Sequence, residues 1–105
     1  MAAVAAVADV VAAVAETRDR FGVGFRPELA AGILSHSDRI DLVEVIADDL
    51  FRAPRHKLRA MQLLAAQLPI VLHGVSLGLA TADRAQSAGL AALARLCEKL
   101  RPEAW

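Results

Sequence analysis

Residues 41–74 read DLVEVIADDLFRAPRHKLRAMQLLAAQLPIVLHG, and their pattern sets the fold. Two short apolar runs, DLVEVIA and PIVLHG, bracket a segment in which Leu58, Met61, Ala65 and Leu68 recur at helical spacing. Pro54 suits the start of that helix, because its missing N–H costs nothing in a first turn. A strand, a helix and a second apolar strand of this size form a parallel pair joined by a right-handed crossover.

The same unit recurs on both sides. Upstream, FGVGFR (21–26) reads as a strand, and Pro27 opens a helix whose apolar face carries Leu29, Ala30, Ile33 and Leu34. Downstream, the loop VSLGLATADRAQ (75–86) leads to Leu90, Leu93, Cys97 and Leu100, which repeat the helical spacing. RPEAW then closes the chain where a fourth strand is expected. The fold class is α/β, with about three parallel βα units. The strands read as apolar on both faces, yet three strands with helices on one side leave an edge and a face open.

At 105 residues the chain has the size of one domain with a modest core. Twelve basic and twelve acidic residues cancel, so nothing global favours nucleic acid or an acidic membrane. The lone Cys97 excludes an internal disulfide and a cysteine zinc cluster, and is compatible with a cytoplasmic protein. Residues 1–20, MAAVAAVADVVAAVAETRDR, stand apart as an Ala/Val-rich helix over about residues 3–18, or a leader of no consequence to the fold. They lack the basic start of a signal peptide, and the run is shorter than the roughly 20 residues of a membrane span. The expectation is a soluble protein.

Ligands of parallel α/β folds gather at the carboxyl ends of the strands. The residues there are Arg26, Asp48 with Asp49, and His73 with Ser76. Alternation puts Glu44, Ile46 and Asp48 on one face of their strand, and Val71 and His73 on one face of the next. If those faces coincide, Asp48 and His73 meet as candidate metal ligands or as an acid/base pair. The competing reading of His73 is a strand-end histidine bonded to a neighbouring loop, and that of the two aspartates is turn capping. Glu44 within an apolar strand needs a partner or a water-facing position. Arg26, Asp49 and Ser76 are the candidate substrate contacts.

Other features read as structural. His36 suits a helix end, Cys97 lies on an apolar stripe, and GVG at 22–24 lacks the rest of a dinucleotide fingerprint. Arg52, Arg55, His56, Lys57 and Arg59 crowd a helix start, where the macrodipole disfavours cations. A solvated helix face explains them, as does an anionic segment docked on the carboxyl-end side.

Taken together, GVGFRPEL, DLVEVIADDLF and LHGVSLGLA resemble, in this order and spacing, the amino-terminal part of the MbnB-like family of multinuclear non-haem iron enzymes. The similarity spans about residues 21–105. It implies the amino-terminal portion of a (β/α)8 TIM barrel like xylose isomerase, with two or three iron ions at the carboxyl-end mouth. It also implies oxidative modification of cysteines in a ribosomally made precursor peptide, with a partner protein that presents the peptide. By position His73 matches a family metal ligand. The second-strand motif commonly reads Glu-Val-His-x-Glu-Asn, so Glu44 matches, Asp48 and Asp49 are conservative departures, and Ile46 stands where many members have histidine. The family continues past the equivalent of Trp105 into a Ser-Glu-His segment with further ligands, so these residues alone are expected to be inactive.

Two rival classes remain open. One is a divalent-metal isomerase or endonuclease-like hydrolase on the same barrel, using His73 and carboxylates from beyond the chain. The other is a truncated, non-catalytic remnant that persists by pairing its exposed sheet with another chain.

Overall fold

The computed structural model describes residues 18–78, 80, 82 and 87–105. The helix or leader expected over residues 1–20 falls outside them, apart from Arg18, Asp19 and Arg20, which are not helical. Three strands, β1 (Gly22–Gly24), β2 (Leu42–Ile46) and β3 (Ile70–His73), form one parallel sheet in the order β1-β2-β3. They alternate with α1 (Ala30–Ser35), α2 (Arg55–Ala65) and α3 (Ser87–Leu100). The result is three consecutive βα units of α/β character, as part of a (β/α)8 barrel would be arranged. A further parallel rung follows α3, where Ala104 bridges Val71. There the Leu72 N–H donates to the Ala104 carbonyl at 3.0 Å, and the Glu103 N–H to that of Ile70 at 2.8 Å.

Register decides which side chains share a face. Val43 lies beside Ile70 and Val45 beside Leu72, and all four are at most 3% exposed. They pack with Met61, Leu64 and Leu68 from α2 and its end, and with Leu93, Leu96 and Leu100 from α3. The alternate residues fall on the other face, where Glu44 and His73 are exposed and Ile46 and Val71 half-buried. The strands are therefore covered by helices on one face only. The expectation of two apolar faces fails at Glu44 and His73, and the expected open face is present among the described residues. β1 lies at the edge, with Val23 37% exposed.

The helix faces follow the sequence spacing with local shifts. A 3-10 turn, Pro27–Leu29, precedes α1, and six residues make less than two turns. Consequently Ile33 alone of the expected face is buried, while Leu29 and Leu34 stay 48% and 44% exposed. In α3 the buried stripe is Leu93, Leu96 and Leu100, with Cys97 half-buried at its margin and Leu90 38% exposed.

The amino ends of the strands are tied by ion pairs. Arg18 bonds Asp41 at 2.6 Å, and Asp41 also accepts the Phe21 N–H at 2.8 Å. Arg20 grips Glu103 with two parallel bonds of 3.0 and 2.8 Å.

Leu72, 1% exposed, sits at the centre of the helix-covered face. Leu72→Ala should destabilise the fold by about 2–5 kcal/mol. Chemical denaturation followed by circular dichroism checks this, and an unchanged midpoint would contradict the assigned register.

Candidate functional site

The carboxyl ends of β2 and β3 carry the polar residues singled out from the sequence. β2 stops at Ile46, and Ala47–Leu50 turns at once into a 3-10 helix that buries Ala47 and Leu50. Strand alternation ends there, so Asp48 leaves the face that Glu44 and Ile46 share. Its carboxylate reaches instead to the loop after β3. Oδ1 accepts the Val75 N–H at 2.7 Å, Oδ2 accepts the Ser76 N–H at 3.1 Å, and the Ser76 hydroxyl also donates to Oδ2.

That loop is also held from its apolar side. Leu77 is 5% exposed and belongs to the core, and it lies so close to Gly74 that a Cβ there would stand 2.7 Å from Leu77 Cδ1. A side chain at position 74 would displace the leucine. The segment HGVSL is thus fastened by a carboxylate above and a buried leucine below, and Gly78 follows in the left-handed region at φ 66°.

Sequence reasoning paired His73 with Asp48, but the structure pairs it with Glu44. His73 Nδ1 lies 3.0 Å from Glu44 Oε1 on the open face of the sheet. A carboxylate only accepts, so Nδ1 carries the hydrogen, and in the neutral ring the lone pair is the one on Nε2. Both side chains are about half exposed, so this contact orients the ring more than it stabilises the fold. Strand parity held the missed signal. In the observed register Glu44 lies beside Val71 and Ile46 beside His73, which puts the carboxylate and the imidazole diagonally on one face.

The remaining candidates are placed separately. Arg26 is extended and exposed at the entry to the 3-10 turn, with no partner for its guanidinium among the described residues. Asp49 is exposed and lines a cleft of about 390 Å³ with Phe25, Ile46 and Lys57. Ser76 is exposed, with its hydroxyl committed to Asp48. His36 closes α1 by bonding the Gly32 carbonyl at 2.8 Å, a structural role. Among the described residues no group of three or more His, Cys, Asp or Glu side chains could hold a metal ion together.

Comparison with known proteins agrees with this architecture. Residues 20–105 match the family model described as RiPP precursor modification enzyme MbnB/TglH/ChrH, and the chain belongs to that family. A UPF0276 protein of Streptomyces avermitilis is 41% identical over 80 residues, covering 75% of this chain and 16% of the relative. UPF0276 proteins of Acaryochloris marina and of an Anaeromyxobacter species are 35% and 32% identical, covering 77% and 80% of this chain and 29% of each relative. The chain therefore spans less than a third of the curated relatives it matches.

The Asp48 carboxyl is held below its ordinary value of 3.8, first by the Ser76 hydroxyl and then by the Val75 N–H, against a smaller opposing effect of burial. A folded-state value below the unfolded one means that the loop contact adds stability above the ordinary value. That stability is lost as pH falls through the depressed one. The amide resonances of Val75 and Ser76 should therefore titrate with a midpoint below 3.8, and Asp48→Asn should abolish the titration. Amide shifts that ignore acid down to global unfolding would refute the contact.

Proposed function

We propose that this chain is the amino-terminal βα portion of an enzyme that modifies a ribosomally made precursor peptide, and that its open sheet face belongs to the reaction chamber. The observation that carries the reading is the family match over residues 20–105, coupled to a polar pair on the open face at the carboxyl end of the sheet.

Iron is the metal this reading implies, and the residues present fit it only in part. His73 suits a ligand: Glu44 holds Nδ1, and a ligating histidine characteristically gives its other ring N–H to a carboxylate. Nε2 is then the donor atom offered to the metal. Asp48 suits the role less well, since its carboxylate already accepts three hydrogen bonds from the loop. We assign Asp48 to positioning the segment that follows His73. One histidine does not make an iron centre, so further ligands would have to come from outside the described residues. Bound iron would supply the redox chemistry for oxidising a peptide cysteine, with His73 among the residues that hold it. In this reading Arg26, Asp49 and Ser76 stand at or near the rim as contacts for the peptide, and a peptide-presenting partner protein would approach the same side.

Anaerobic loading with ferrous ion tests the assignment. The chain should take up iron weakly, His73→Ala should abolish uptake, and Glu44→Gln should lower it by roughly tenfold or more, as lost carboxylate partners do. Retention of iron by His73→Ala would overturn the ligand role. Strict preference for zinc or manganese would instead favour a hydrolase or isomerase class. For the reaction itself, co-expression of the longer enzyme with a cysteine-bearing precursor peptide should change the peptide mass only when His73 is intact.

A further inference from the structure

A second cleft lies on the outer side of the layer, between α2 and α3, away from the open sheet face. Its volume is about 560 Å³, and it is lined by Arg55, His56, Leu58, Arg59, Gln62 and Lys99. Every lining residue except Leu58 is polar or cationic, and the exposed cations run along α2 from its first turn. Among the described residues Arg55, Arg59 and Lys99 have no acidic partner.

This arrangement runs against the intrinsic preference of the helix. α2 has no acidic residue in its first turn and no side chain capping its start, so its positive end faces its own cations unrelieved. Lys99 by contrast sits in the last turn of α3, where a cation is favoured. Since the chain as a whole carries no net charge, the clustering is a local concentration of positive potential in a concave site.

We propose that this cleft docks an acidic peptide segment of a partner polypeptide. The inference is independent of the reaction assigned to the open sheet face. From Arg55 to Gln62 the cleft runs roughly 10 Å along the helix axis, which accommodates about three residues of extended peptide. Alternate acidic side chains of such a segment would meet Arg55 and Arg59, one helical turn apart, with Lys99 on the facing wall. Guanidinium groups favour carboxylates because both are planar and pair through two bonds. Gln62, whose Nε2 lies 3.5 Å from the Lys99 carbonyl, stands at the lower end with an amide suited to a peptide backbone. Nucleic acid fits less well, because no Phe, Tyr or Trp lines the cleft to stack a base and the cations cover too short a track for several phosphates.

The test is fluorescence anisotropy of the whole chain with a labelled glutamate-rich peptide and with its glutamine counterpart, at low and at physiological ionic strength. The glutamate peptide should bind and weaken as salt rises. The double variant Arg59→Glu with Lys99→Glu should bind it about tenfold or more weakly. Arg39→Glu, an exposed charge reversal just before β2, should bind it as the parent does. Circular dichroism confirms that each variant is folded. Equal binding of the glutamine peptide, no effect of the double variant, or an equal loss in Arg39→Glu would overturn the proposal. So would displacement of the peptide by an oligonucleotide of the same charge at lower concentration.

Discussion

The parallel register between β2 and β3 is the constraint on which the rest of the structure depends. With Val43 on Ile70 and Val45 on Leu72, one face closes over the helices and carries nearly all of the sheet's contribution to the core. The same register puts Glu44 and His73 on the opposite face, within hydrogen-bond reach. A slip of β3 by one residue would turn Val71 and His73 toward the helices and expose Ile70 and Leu72, an exchange that apolar burial forbids. Core and site are therefore two readings of one pairing.

The fold was legible because its signals are periodic. Apolar strands, helical spacing in Leu58–Leu68 and Leu90–Leu100, and prolines at the starts of helical segments all point to parallel βα units. The departures arise where short elements weaken the period. The six residues of α1 turn only Ile33 to the core, and the apolar look of β2 conceals a carboxylate that faces outward.

The candidate residues were legible in their positions and less so in their pairings. His73, Asp48 and Ser76 were all placed at strand ends by sequence alone, and the structure agrees on that. Which residue bonds which depended on where β2 stops. Because Ala47 begins a 3-10 turn, Asp48 swings to the backbone of Val75 and Ser76, and Glu44 four residues earlier takes the imidazole. No residue periodicity reports a turn of that kind, which is set by burial of Ala47 and Leu50.

The two ends of the sheet are held by different chemistry, and they consequently answer to different solution conditions. At the amino end the ties are exposed guanidinium–carboxylate pairs, Arg18 with Asp41 and Arg20 with Glu103, which added electrolyte screens. At the carboxyl end the tie is a carboxylate received by neutral amides and a hydroxyl, which electrolyte hardly touches. The base of the sheet can thus be loosened by ionic strength while the rim around His73 keeps its shape.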